Sequence, residues 1–160
     1  MTMTTTTQDK GWLPPRAIVR GAWIVHRAIH RVSRGRRGLA LARPGKEGYM
    51  RLRTVGRRTG RERIAILAYF QDGQNLVTMA MNGWADPEPA WWLNLLARPD
   101  VEVDLKDGTH RVHARAAVGE ERARLWALLD EYNGWGASID AYARRRSRQT
   151  SVVVLEPRSV

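Results

Sequence analysis

The sequence predicts an α+β fold whose core is a largely antiparallel sheet or barrel. Three observations lead there. Six segments of alternating or continuous apolar character recur, each bounded by Gly, Asn, Asp or Pro. Helical spacing appears between some of them, but no repeating strand–helix–strand unit does, which argues against a doubly wound parallel sheet. The 160 residues fit one domain with a true core, and no internal repeat divides them.

Residues 1–15 read as a disordered, Thr-rich tail ending at Pro14-Pro15, and residues 16–160 as the single domain. Over residues 16–34, Ile18, Ala22, Val25, Ile29 and Val32 recur at helical spacing, with Val19, Trp23 and Ile24 widening the stripe. Arg20, Arg27, Arg31 and Arg34 lie largely off it. Such a helix either packs on its own domain with its arginines wet or lies on an anionic membrane surface, and the two are compatible. Residues 35–48 form a Gly/Arg/Pro linker.

The barrel core is expected over residues 49–157. Residues 49–55 alternate, with Met50, Leu52 and Thr54 on one face and Tyr49, Arg51, Arg53 and Val55 on the other. A glycine-bracketed turn at 56–60 leads into a second strand at 63–70. Asp72-Gly73 turns the chain into a third strand at 75–81. Pro87 and Pro89 break it, and residues 90–97 read as a short helix with Asp86 or Glu88 near its positive end. Residues 101–105 alternate strictly, and Asp107-Gly108 turns them into a long strand at 109–118. Residues 119–132 are helical, with Leu125, Leu128, Leu129 and Tyr132 as the buried stripe and acids in the first turn. Residues 138–146 form a helix or turn, and the β-branched run at 151–155 is a final buried strand.

Composition excludes several chemistries. Cysteine is absent, so there is no disulfide framework, thiolate metal site or cysteine nucleophile. No segment is long and apolar enough to span a bilayer, and the N-terminus lacks a secretory apolar core. A cytoplasmic protein is the expectation. The formal charge of +11 is unevenly placed: residues 1–63 carry 16 Lys/Arg against 3 Asp/Glu, and the remaining 97 carry 11 against 13. That asymmetry calls for an anionic partner: nucleic acid, a membrane surface or a polyanionic small molecule.

Three stretches carry chemical signals. Arg57, Arg58, Thr59, Arg61 and Arg63 surround Gly56 and Gly60. Guanidinium forks and close-approaching amides can hold a phosphate or carboxylates there. The spacing is not that of a P-loop, and taken alone a basic hairpin tip is commonly a solvated turn. In residues 82–94 the amides of a helix start, with Asn82 and Asn94, offer hydrogen-bond partners to a carbonyl-rich ring. Trp84, Trp91 and Trp92 are candidates to flank such a ring, the alternative being that Trp91 and Leu95 are simply the helix's core face. Lastly, Tyr132, Trp135 and Tyr142 form an aromatic set able to donate a hydrogen bond or proton to a bound acceptor, or to pack as core or lid. His26 and His30 share helical spacing without a third ligand, and no metal site is expected. There is no nucleophile elbow and no dinucleotide-binding glycine fingerprint. Aromatic residues do not interleave with the basic run, which argues against nucleic acid as the partner.

Together these residues resemble the deazaflavin (coenzyme F420)-dependent nitroreductase family. The resemblance covers roughly residues 49–157. It rests on Thr54-Val55-Gly56-Arg57-Arg58-Thr59-Gly60, Asn82-Gly83 through Asn94-Leu95, Arg98-Pro99-Asp100-Val101-Glu102-Val103, Glu121-Arg122 through Trp126, and Val152 to Pro157, in the family's order. It implies a split β-barrel of the FMN-binding type and hydride transfer from F420H2 to a hydrophobic acceptor such as a quinone, nitro compound or enone. Flavin mononucleotide is the alternative cofactor. Arg57, Arg58, Thr59 and Arg63 would hold the cofactor's anionic tail. Ala65, Ile66, Leu67, Met79, Ala80, Met81 and Asn82 would line the ring, and Ala90, Trp91 and Asn94 would close it. Tyr132, Trp135 and Tyr142 would stand by the acceptor. Met81 falls where nitroimidazole-reducing members carry Ser, so nitroimidazole activation is not expected. The protein would be a monomer or homodimer, with a peripheral contact at the inner face of the membrane through residues 16–34. A non-enzymatic basic module binding membrane or nucleic acid is the rival reading, and it leaves residues 82–94 without a role.

Overall fold

Alternation in the first strand builds the barrel wall. In the computed structural model, which describes residues 38–132 and 137–159, β1 (Gly48–Val55) turns Met50, Leu52 and Thr54 inward and leaves Arg51 and Arg53 part-exposed. β2 (Glu62–Asp72) and β3 (Asn75–Met79) follow, then a single 3-10 turn at Asn82–Trp84 and the helix α1 (Ala90–Ala97). β4 (Asp100–Leu105) and β5 (Gly108–Ala116) form a hairpin, α2 (Gly119–Glu131) and α3 (Ile139–Ala143) cross outside, and β6 (Val152–Pro157) returns. The strands close in the order β1-β2-β3-β6-β5-β4, every pair antiparallel.

Two apolar clusters hold this together. Inside the barrel, Met50, Leu52, Tyr69, Val103, Val112 and Leu155 pack with Trp92 and Leu95, so α1 plugs one end. Outside, Val77, Val152 and Val154 meet Leu125, Leu129, Ile139 and Tyr142 of the two outer helices. β6 thus buries both faces, which is why its sequence is continuously β-branched rather than alternating. A strap at residues 40–46 crosses the rim, where the Ala42 N–H donates to the Tyr69 hydroxyl at 3.2 Å. Gly48 makes room for it: a Cβ there would sit 2.5 Å from the Ala42 nitrogen.

The expected helix or turn at 138–146 is present as a helix over Ile139–Ala143 followed by a turn. Two expectations need correction. The third strand ends at Met79 rather than 81, because the chain leaves the sheet there. Neither Asp86 nor Glu88 serves α1's dipole: Asp86 accepts from the Ser147 N–H and Glu88 faces Arg146. The expected tail, the 16–34 helix and Trp135 lie outside the described residues. Among the described residues no helix is long and apolar enough to cross a membrane.

Candidate active site

The basic tip is a tight, internally bonded turn. Gly60 N–H donates to Gly56 O at 2.7 Å and Gly56 N–H to Arg61 O at 2.8 Å. A Cβ on Gly56 would lie 2.9 Å from the Thr59 hydroxyl, and Gly60 has φ +66°, so both glycines are required by the geometry. Arg57, Arg58, Thr59, Arg61 and Arg63 are exposed. Among the described residues none of these four arginines has a carboxylate partner, whereas Arg51, Arg53, Arg115, Arg124, Arg146 and Arg158 all do.

Asn94 ties this tip to α1. Its Oδ1 accepts from the Arg57 N–H and its Nδ2 donates to Thr54 Oγ1, both at 3.1 Å, and Thr54 in turn donates to Arg63 O. Asn94 is 4% exposed, so its amide is spent mainly on setting the tip against the helix. Trp91, one turn earlier on α1, is half-buried at the same side, while Trp92 is core. Trp92 and Leu95 are the fully buried core face, and Trp91 packs against the same cluster while part-exposed. Pro89 precedes α1 without a side-chain cap, which leaves the first-turn amides of Ala90 and Trp91 as donors.

Between these features the barrel is split. β2 pairs with β3 only from Phe70↔Val77 to Asp72↔Asn75. On its other edge β3 pairs with β6 from Leu76 to Met79, and the contact continues as Ala80 N–H donates to Ser151 O. Among the described residues the outer edge of β2 from 64 to 67 has no backbone partner. Ile64 is 52% exposed beside it, and Ala65 and Leu67 are part-exposed, while Ile66 points inward. The chain from Met79 to Asn82 lies beyond the last β2–β3 pair, with Met79 and Met81 packed against the outer cluster. The candidate cleft is this unpaired stretch of β2, which begins beside the arginine tip.

Beyond Met81 the backbone is strained. Asn82, Gly83 and Trp84 all have positive φ (45°, 62° and 63°), a conformation that a tryptophan adopts only when its surroundings hold it there. Asn82 Nδ2 closes the loop onto Pro87 O at 2.9 Å. Trp84 is driven into the outer core and stacks on Tyr142 at 5.8 Å. Trp84 therefore does not flank the cleft, and Tyr142, 1% exposed, is a core ring rather than an exposed donor. Tyr132 is half-buried and stacks on Phe70 at 5.7 Å. The charge of neighbouring Glu131 raises its pKa.

Sequence reasoning missed Thr54, whose inward position looked like plain alternation, and Arg146, hidden in a run of arginines. A separate cavity of about 410 Å³, lined by residues including Arg122, Trp126, Asp140 and Thr150, shares no residue with the cleft. Among the described residues no three His, Asp or Glu side chains are placed to hold a metal.

A closed antiparallel barrel with one unladdered seam defines a split-barrel protein of the flavin-binding class. Residues 23–157 match the family described as F420H(2)-dependent quinone reductase. An F420H(2)-dependent quinone reductase of Mycobacterium tuberculosis is 34% identical over 136 residues, covering 84% of this chain and 89% of that one. A solved F420-H2 dependent reductase superposes with a TM-score of 0.59 at 26% identity, covering 73% of this chain and 97% of that chain. The chain belongs to the F420H(2)-dependent quinone reductase family: it is an F420-dependent oxidoreductase acting on small, hydrophobic, quinone-like acceptors.

Proposed function

We propose that the seam between 64–67 and 79–82 is the cofactor site, with Arg57, Arg58, Thr59 and Arg63 gripping the anionic tail of F420. The single observation that carries this reading is the coincidence of three things along one cleft. These are arginines without carboxylate partners, an unpaired strand edge, and uncapped helix amides. The residues suit the group: guanidinium forks match phosphate and carboxylates, and apolar walls with backbone donors match a flat heteroaromatic ring. Bound in its reduced form, F420 supplies a hydride. The chain's part is to orient and to exclude water. Asn94 fixes the tip, Ala65 and Leu67 with Met79 and Met81 give the ring apolar walls, and the Ala90 and Trp91 amides face its polar edge.

For the acceptor, Tyr132 is the described aromatic left as a proton or hydrogen-bond donor. Its phenol, protonated at neutral pH like any tyrosine, would donate a hydrogen bond to the acceptor. A quinone is the acceptor class we favour. The basic amphipathic pattern of residues 16–34 supports a peripheral membrane contact that would bring such a lipid-soluble acceptor to the site.

Fluorescence or calorimetric titration with F420 tests the site directly. We expect micromolar or tighter binding and oxidation of F420H2 by a quinone panel, with Tyr132→Phe slowing turnover more than it weakens F420 binding. Absence of F420 binding at micromolar concentration would overturn the assignment.

A further inference from the structure

We propose that Arg146 is a positioning residue that holds the cofactor-facing turn in its strained form. The inference rests on the reading of the seam as the cofactor site. Arg146 lies in the turn after α3, and its side chain is 0% exposed. Its Nη1 donates to Ala80 O and to Thr150 Oγ1, both at 2.9 Å. Its Nη2 reaches Asp86 O at 3.4 Å and Glu88 Oε2 at 3.3 Å. Next to it the Ser147 N–H donates to the Asp86 carboxylate.

These contacts bracket one segment. Ala80 is where the chain leaves the sheet, and its carbonyl, in a residue 0% exposed, would lack a partner without the guanidinium. Asp86 and Glu88 lie on the other side of the left-handed Asn82–Trp84 turn, just before α1. One buried cation therefore grips both ends of a turn whose backbone is disfavoured by itself. That grip fixes the distance between the wall at 79–82 and the first amides of α1, the two surfaces that would receive the ring.

A role in stability alone explains this poorly. Burying a guanidinium against a single carboxylate is costly, and an apolar side chain of similar size commonly does as well or better. What a hydrocarbon cannot do is bond two carbonyls and a carboxylate along one edge of the cleft. The arginine neither touches the tip nor belongs to it, so its influence on the cofactor runs through the turn.

The test compares Arg146→Met, Arg146→Lys and Glu88→Gln with the unmodified chain, reading two quantities. Amide hydrogen exchange without cofactor reports the turn, and F420 titration reports the site. In Arg146→Met, we expect exchange at residues 82–86 to quicken at least about tenfold, and F420 affinity to fall by a similar factor, the scale of one lost charge-assisted contact. Arg146→Lys, which keeps the charge but loses the fork, should recover part of both. Salt dependence of F420 binding should not change, since the tip is intact. A folded Arg146→Met protein with native exchange and native affinity would overturn the proposal. Should that variant fail to fold, Glu88→Gln decides: both readouts shift if the brace is real, and unchanged values reject it. If the unmodified chain itself binds no F420, the cofactor reading falls, and exchange in the turn judges the brace alone.

Discussion

Arg115 and Arg58 stand on the same barrel in opposite surroundings. Arg115 is enclosed by acid: it donates to both oxygens of Glu121 at 2.6 and 2.8 Å and to Glu156 at 2.7 Å. On the neighbouring strand β4, Asp104 makes the converse arrangement, one carboxylate accepting from Arg51, Arg53 and Thr109. Arg58 and its neighbours at the tip have no such partner among the described residues. Charge neutralised within the chain ties strands and helices together, whereas charge left uncompensated at the tip is what the proposed cofactor site would use. Position within the hydrogen-bonded network, rather than residue type, separates the two uses.

The comparison breaks first if the tip is not a binding element. Arg58→Glu with Arg63→Glu should weaken F420 binding about 100-fold or more, since charge-assisted bonds are worth about 1.5–3 kcal/mol each, while the melting temperature stays nearly constant. A calorimetric titration beside a thermal scan checks both halves. The converse variant is Asp104→Asn. It should cost about 2 kcal/mol of stability by leaving two guanidiniums short of their carboxylate, with F420 affinity within about twofold of the native value. A large affinity loss there would erase the distinction between the regions.

Milder perturbations sharpen it. Asp72, held down by Arg124, Glu121, held down by Arg115, and Asp104 all have carboxyl pKa values below their ordinary ones. In Asp104 burial pushes the other way and is outweighed by the bonds from Arg53, Thr109 and Arg51. A depressed folded-state pKa contributes stability that is complete above the unfolded value and is lost as pH falls through the folded one. The melting temperature should therefore hold from neutral pH to about pH 5 and drop below about pH 4, less steeply in Asp104→Asn. The smallest effect is that of salt. Raising ionic strength from about 0.05 to 0.5 M should reduce F420 affinity severalfold by screening the exposed tip, yet leave the melting temperature little changed.

Much of this was legible in the sequence for local reasons. Period-two alternation fixed the faces of β1, Asp-Gly pairs marked two hairpins, and Pro89 marked the start of α1. The arginine tip stood out because glycines bracket it. What could not be read depends on contacts between distant residues. β3 ends at Met79 after its last β6 pair, Met79↔Val152, and its β2 pairing has already stopped at Val77. Asn94 looked like a ligand group because nothing near it in sequence shows that Thr54 and the Arg57 amide will claim its amide. Arg146 sits in Arg144-Arg145-Arg146, which reads as a solvated charge run, and Glu88 lies 58 residues away. Trp84 and Tyr142 each carried a plausible surface role until a left-handed turn buried one against the other.

The split in the barrel has a further consequence. A strand edge with open amides is the place where a foreign strand would add itself, and most closed barrels escape that hazard by having no edge at all. Here the exposed stretch is short and is flanked by like-charged guanidiniums, so two copies of the chain would repel one another where they would otherwise zip together. The residues proposed to hold a negatively charged cofactor would also keep this edge from pairing with its own copy.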